Sequence, residues 1–143
     1  MSLLSDIIIS DTATISNEFG DIVKIIKCGE KGISKIREVY CSWVVPNKTK
    51  AWKKQENQTI MLFVLLGTIR FVFIDSNEKV LRIDIRSDSK KLLIIPPGIW
   101  YGFKCISNDN GLILNSTDIT HDPDAVIRRD TDYFPSTYFT DEI

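Results

Sequence analysis

Residues 94–105, IIPPGIWYGFKC, join a rigid turn to four bulky residues that follow it at once. A Pro-Pro-Gly turn costs little entropy to order, because proline has few unfolded conformations to lose. The turn therefore fixes where the next strand begins. In a barrel this device sets the rim, so we expect the side chains after Gly98 to lie at the mouth.

Strand patterns dominate the rest of the chain. Runs of β-branched and aromatic residues are separated by turn residues and predict strands over 21–27, 34–45, 59–66, 68–75, 79–86, 91–95, 101–106 and 111–116. Gly67 predicts a tight hairpin between two of these strands, and residues 75–78 and 107–111 predict further turns. A short helix of about two turns is predicted over residues 122–129, beginning at the capping residue Asp122 followed by Pro123. This spacing favours an antiparallel sandwich or barrel.

Two strands show which faces are buried. In the strand from Thr68, Ile69 shares a face with Phe71 and Phe73, and Arg70 lies on the other. In the strand from Lys79, the apolar face consists of Leu81, Ile83 and Ile85. In this second strand, apolar and polar residues alternate more regularly, as in a strand with one face exposed to solvent.

The bulk composition sets limits on function. A length of 143 residues fits a single domain, 1–143. The formal net charge of −1 gives no basic excess for binding nucleic acid. The apolar runs are too short to cross a membrane, and the N-terminus does not resemble a signal peptide. Three cysteines without a CxxC pair argue against a disulfide framework and favour a reducing cytosol. We expect a cytoplasmic protein without nucleic-acid or membrane partners.

The string IIPPGIWYGF resembles the PPG-x-x-x-GF signature of the dTDP-4-dehydrorhamnose 3,5-epimerase-like family, the sugar-nucleotide epimerase branch of the cupins. Other pieces follow in the family's order: Lys50-Ala-Trp-Lys at the Arg-Gly-Leu-His turn, then Asn115-Ser-Thr-Asp and His121-Asp-Pro-Asp near the C-terminal end. The resemblance covers residues 20–130. It implies an all-β fold, a cupin jelly-roll β-barrel with one or two short C-terminal helical turns, and a homodimer.

The resemblance also implies a reaction. The family removes a proton beside a ketone and returns it to the opposite face, without a cofactor or metal. Its histidine base falls on Lys53, or on Lys54 or Gln55 if the loop shifts, and its tyrosine acid falls near Leu114. A lysine can act as base only if burial or nearby cations lower its pKa. We take Lys53 as the candidate base and Tyr101 as the candidate acid, against the alternatives of a surface lysine and a packing tyrosine.

Further residues are candidates for binding the substrate. Lys50 and Arg70 could contact a diphosphate or the enolate oxygen, provided that Arg70 points into the barrel. Trp52 or Trp100 could stack on the nucleobase, although most such rings simply pack in a core. Trp52 could also anchor its loop, and the lysine run around it could be a solvated loop. The remaining substrate-binding candidates are Gln58 and Asn115.

The sole histidine, His121, argues against a metal site of the cupin type. Such sites use several protein ligands, and one histidine cannot supply them. The acidic residues around it have capping and solvation as their expected roles.

The reading that we favour is an isomerase or epimerase acting on a nucleotide-linked 4-keto-6-deoxy sugar. A rival reading is a non-catalytic cupin that binds a nucleotide sugar or assists a partner enzyme, because both family catalytic residues are replaced. A third is an eroded site with a scaffolding role only.

Overall fold

The computed structural model describes residues 2–120 and 122–141. His121 lies outside the described residues. The twelve strands within the described part are β1 (Ile8–Asp11), β2 (Ala13–Ile15), β3 (Ile22–Lys24), β4 (Glu38–Val44), β5 (Thr49–Gln55), β6 (Ile60–Leu66), β7 (Thr68–Ile74), β8 (Val80–Arg86), β9 (Lys91–Ile95), β10 (Trp100–Cys105), β11 (Gly111–Thr117) and β12 (Val126–Arg128). Four 3-10 turns accompany them: Leu4–Asp6, Ser87–Ser89, Pro123–Ala125 and Ser136–Phe139.

The strands form two five-stranded antiparallel sheets and a separate β2–β3 hairpin. The first sheet has the order β1-β9-β6-β11-β4, and the second has the order β12-β5-β10-β7-β8. The chain passes from β9 in the first sheet to β10 in the second and back to β11 in the first. The predicted jelly roll with short C-terminal helical turns is thus confirmed.

The main core lies between the two sheets, and the predicted alternation in β7 and β8 is confirmed. Ile69, Phe71 and Phe73 are fully buried in this core, and Leu81 and Ile83 pack against it. The outer face of each sheet is also covered. Ile33 and its neighbours pack on the first sheet, and the C-terminal segment, residues 130–141, packs on the second.

The chain does not form a hairpin at Gly67. β6 pairs with β9 and β11, whereas β7 pairs with β8 and β10, so Gly67 is the corner where the chain changes sheets. Its φ is +77°, and a Cβ there would lie 2.7 Å from Ser107 Oγ. The prediction failed because a glycine between two apolar runs marks a bend but does not show which strands pair.

The predicted helix from Asp122 is also wrong in part. The Asp122 side chain does accept a hydrogen bond from the Asp124 backbone N–H, at 3.0 Å. The turn nevertheless ends at Ala125, and the chain continues as β12, which pairs with β5. Tertiary pairing therefore overrides the local capping signal. None of the helical turns in the described ranges is long and apolar enough to cross a membrane.

Candidate active site

A cavity of about 400 Å³ lies at one end of the space between the sheets. Its walls come from β4 and β11 of the first sheet and from β5, β10 and β12 of the second. The lining residues are Tyr40, Ser42, Lys50, Ala51, Trp52, Lys53, Tyr101, Phe103, Asn115, Arg128 and Arg129. The structure therefore brings together five of the residues predicted from the sequence: Lys50, Trp52, Lys53, Tyr101 and Asn115.

Strand pairing explains why two lysines three positions apart both line this cavity. Lys53 is the cross-strand partner of Tyr101, and Lys50 is the partner of Phe103. The register shifts between these pairs, so β5 carries one extra residue there. Such a bulge re-aims side chains along a strand. Lys54, the next residue, is not among the lining residues, and its ammonium lies 4.9 Å from the centre of the Trp100 ring.

The cavity is strongly cationic. Lys50, Lys53, Arg128 and Arg129 line it, and no carboxylate is among the lining residues in the described ranges. Lys50 donates a hydrogen bond of 2.7 Å to the Trp43 carbonyl. Burial lowers the pKa of Lys53, and the charges of Arg128 and Lys50 lower it further. The site thus offers an anion a cluster of positive charge, and it favours the neutral amine of Lys53.

Two phenols face the cavity from opposite walls. Tyr101 lies beside Lys53 on the second sheet, and the Cβ atoms of such partners are about 5 Å apart. Tyr40 lies on β4 of the first sheet. Burial raises the pKa of both phenols; hydrogen bonding from Gln55 offsets part of the rise for Tyr101, and the charge of Glu38 adds to it for Tyr40. Both side chains therefore hold their protons at neutral pH.

Asn115 supplies an amide to the Tyr40 wall. It is the cross-strand partner of Tyr40 and is buried, and its Nδ2 donates to Ser42 Oγ at 3.2 Å and to the Ile113 carbonyl at 3.1 Å. Both amide hydrogens are engaged, so the side-chain oxygen is the group left to meet a ligand.

Neither tryptophan offers a free ring to the cavity. Trp52 is 1% exposed; its ring centre lies 5.0 Å from that of Phe134 and 5.2 Å from that of Phe139. Its Nε1 donates to the Thr131 carbonyl at 3.3 Å. Trp100 packs on Phe134 and Tyr133 outside the cavity. The proposed nucleobase stacking by either ring is therefore corrected: both rings hold the C-terminal segment.

Arg70 and Gln58 are likewise absent from the cavity lining. Arg70 lies on the outer face of β7, where its guanidinium makes a bidentate pair with Asp84, at 2.8 and 2.9 Å, and donates to the Phe139 carbonyl at 3.0 Å. The condition set for a ligand contact by Arg70 is therefore not met, because the inward face of β7 is the phenylalanine face. Gln58 is buried, and its Nε2 donates to the Ile119 carbonyl at 2.9 Å.

Arg70 fastens the C-terminal segment to the second sheet, so its loss should lower stability. We expect Arg70→Met to reduce the free energy of unfolding by about 1–3 kcal/mol, because a buried carbonyl loses a charged donor. Arg86→Met is the matched control, since the Arg86–Asp88 pair is exposed and should contribute less than about 1 kcal/mol. Urea unfolding of both variants measures the difference; equal losses would contradict the assignment.

Sequence reasoning missed Tyr40, Arg128 and Arg129. The alternation within β4 could have placed Tyr40 and Ser42 on one face. The arginines were assigned to a helix, and their approach to the cavity depends on β12 pairing with β5: Arg128 pairs with Lys53, and the backbones of Arg129 and Trp52 exchange hydrogen bonds of 2.9 and 3.0 Å. No three His, Cys, Asp or Glu side chains within residues 2–120 and 122–141 are grouped so that they could hold a metal ion.

Comparison with solved structures finds the same fold in dTDP-sugar isomerases and epimerases. A dTDP sugar isomerase from Desulfovibrio desulfuricans G20 is 30% identical, with 90% of this chain and 86% of that chain covered and a TM-score of 0.82. The chain belongs to the family of dTDP-sugar isomerases that resemble dTDP-4-dehydrorhamnose 3,5-epimerase.

Two further structures share the fold at 17% identity. They are QdtA, a sugar 3,4-ketoisomerase from Thermoanaerobacterium thermosaccharolyticum in complex with TDP (92% and 93% covered, TM-score 0.78), and a dTDP-4-dehydrorhamnose 3,5-epimerase from Sulfolobus tokodaii (98% and 87% covered, TM-score 0.81). No family sequence model and no curated protein sequence matches the chain.

Proposed function

We propose that this protein is an isomerase or epimerase acting on a nucleotide-linked 4-keto-6-deoxy sugar in deoxysugar or surface-polysaccharide biosynthesis. The observation that carries the proposal is that Lys53, at the family's base position, shares one cavity with three further cations and two phenols. The volume of about 400 Å³ is typical of small-molecule sites. The 30% identical relative is a dTDP sugar isomerase, which supports this substrate class.

The cavity side chains match the needs of proton abstraction beside a ketone. This reaction requires a base with a pKa not far from neutral, a proton donor, and positive charge near the enolate oxygen. The neutral amine of Lys53 takes the proton, and Arg128 beside it stabilises the enolate. Lys50 and Arg129 hold the diphosphate, and a phenol returns the proton.

The position of that phenol decides the product. If Tyr101 donates, the proton returns from the wall that also carries Lys53, which gives a keto–hydroxy shift along one face of the sugar. If Tyr40 donates, the proton returns from the opposite wall, which inverts the carbon. The two outcomes correspond to a ketoisomerase and an epimerase.

Incubation with dTDP-4-keto-6-deoxyglucose in deuterated water tests the proposal. Deuterium at carbon 3 or 5 with an inverted centre indicates an epimerase, and deuterium at carbon 4 of a 3-keto sugar indicates a ketoisomerase. Tight binding of TDP without any exchange would favour the rival function, a non-catalytic cupin that binds a nucleotide sugar or assists a partner enzyme. That rival is favoured by one observation, the replacement of the family histidine and tyrosine by Lys53 and Leu114.

Arg128 should contribute strongly to anion binding. We expect Arg128→Gln to weaken the binding of TDP by about 10–100-fold, since a charge-assisted hydrogen bond contributes about 1.5–3 kcal/mol. Isothermal titration calorimetry measures the change. Arg86→Gln, on an exposed pair at the far end of β8, is the control and should leave Kd unchanged. Unchanged binding of TDP by Arg128→Gln would show that Arg128 does not contact the ligand.

The pH dependence of the reaction should reflect the ionisation of the Lys53 amine. Because the amine must be neutral to act as base, kcat/KM should rise with pH up to the lowered pKa of Lys53 and then level off. The plateau should extend beyond pH 10, because burial raises the pKa of Tyr101 above that of a free phenol. Lys53→His should move the acidic limb to lower pH, because the ordinary pKa of histidine lies below that of lysine. An unmoved limb would mean that another group is the base.

We also propose that the protein is a cytoplasmic homodimer. The apolar side chains of Val39, Trp43 and Val45 at the edge of the first sheet are each 56% exposed, which supports a contact with a second copy. Light scattering coupled to size exclusion should give twice the mass of the chain, and Trp43→Glu should shift it towards the monomer.

A further inference from the structure

Lys53 combines two properties that the proposed isomerisation does not fully use. Burial and the charges of Arg128 and Lys50 lower the pKa of its amine, so a larger fraction of the amine is neutral than in a free lysine. A neutral amine is a nucleophile as well as a base, and desolvation beside a second cationic group is a known way to activate lysine. Lys53 is also open to a cavity of about 400 Å³, which leaves room for a second reactant.

We propose that Lys53 is a covalent capture site for small aldehydes that carry a phosphate group, with which its amine forms an imine that occludes the cavity. The ligand class follows from the surroundings. Lys50, Arg128 and Arg129 line the same cavity and can hold the phosphate, whereas the described lining includes no carboxylate that would keep the amine protonated or repel an anion.

The covalent step is balanced without an oxidant or reductant. The lone pair of Lys53 Nζ attacks the aldehyde carbon, a C–N bond forms, and a proton passes from the nitrogen to the carbonyl oxygen, which becomes a hydroxyl. The C–O bond then breaks, the hydroxyl takes a second proton and leaves as water, and the nitrogen releases its remaining proton as the C=N bond forms. Tyr101, the cross-strand partner of Lys53, is placed to donate a hydrogen bond to the departing oxygen.

The chain provides a matched comparison for this reactivity. Lys54 is the next residue on the same strand, but its ammonium lies over the Trp100 ring, and Lys54 is not among the residues that line the cavity. The two lysines have the same chemistry and nearly the same place in the sequence. A difference in their reactivity therefore measures the effect of the cavity surroundings on Lys53.

Pyridoxal 5′-phosphate, an aldehyde with a phosphate group, is the probe. It is added in less than equimolar amount to the intact protein, the imine is reduced with borohydride to a stable secondary amine, and peptides are mapped. Lys53 should be labelled at least about tenfold faster than Lys54, because Lys50, Arg128 and Arg129 line the same cavity and can hold the phosphate there, and a tenfold preference is within the usual contribution of a charge-assisted hydrogen bond. Equal labelling of the two lysines would overturn the proposal.

Three controls separate the parts of the proposal. Lys53→Arg should lose most of the fast labelling, whereas Lys54→Arg should keep it. Pyridoxal, which lacks the phosphate, should label Lys53 more slowly, and excess inorganic pyrophosphate should slow the labelling by the phosphate compound. If pyridoxal reacts as fast and pyrophosphate has no effect, the anion-binding part is overturned. The outcome is independent of deuterium exchange, so it can fail while the proposed function holds.

Discussion

Lys53→Met is expected to lower the rate of solvent deuterium incorporation into the keto sugar by about 10²–10⁴-fold, the usual contribution of a general base. The substitution removes the amine but keeps an unbranched chain of similar length on the cavity wall. Because Lys53 carries a lowered pKa and faces no carboxylate among the cavity residues described, removing it should not leave an unpaired charge in the protein. Binding of TDP should therefore survive better than turnover does.

The neighbouring lysine makes this expectation specific. Lys54→Met removes an ammonium from the outer face of β5, above Trp100, and should leave exchange within about twofold of the unsubstituted protein. Rates are measured by mass spectrometry of the sugar after timed incubation in deuterated water. Retained exchange in Lys53→Met, or equal losses in the two variants, would show that another group takes the proton.

Trp52→Ala is expected to lower the free energy of unfolding by about 3–5 kcal/mol, the range for deleting a buried aromatic ring. The ring is 1% exposed and packs against Phe134 and Phe139 of the C-terminal segment. Its removal leaves a hole between β5 and that segment. Trp52→Phe keeps an aromatic ring there and should cost less; it should also retain the binding of TDP, because the indole does not stack on a nucleobase.

Phe19 is the matched control for this substitution. Its side chain is 92% exposed, so Phe19→Ala should change the free energy of unfolding by less than about 1 kcal/mol. Urea titrations followed by circular dichroism, with unchanged slopes, allow the two midpoints to be compared. A loss of TDP binding in a well-folded Trp52→Phe protein would show that the indole of Trp52 contacts the ligand.

Local patterns in the sequence predicted the strands whose apolar residues alternate. The faces of β7 and β8 are as expected, because one side of each packs in the core and the other does not. By contrast, β5 was missed: its sequence, TKAWKKQ, has few apolar residues and reads as a charged loop. Its lysines divide between the cavity and the outer face, and no periodicity could reveal a strand that has polar residues on both faces.

The contacts between distant segments could not be predicted. The sequence left the direction of Arg70 open, because its burial depends on the C-terminal segment, more than 60 residues away, which covers the outer face of β7. Arg128 reaches the cavity only because β12 pairs with β5. The resemblance assigned the family's base position to Lys53, which is among the residues that line the cavity, but it carried no information on residues outside the motifs.

The position of the two cavity arginines in the chain determines how sequence changes can alter the ligand preference of the site. Half of its positive charge is supplied by β12, a short edge strand of the second sheet, and by the residue directly after it, whereas Lys53 and both phenols lie on other strands. Insertions, substitutions or deletions in this segment would therefore change which anions bind, while Lys53 and the two phenols keep their positions. Ligand preference and chemistry in this protein are thus encoded in segments that can diverge separately.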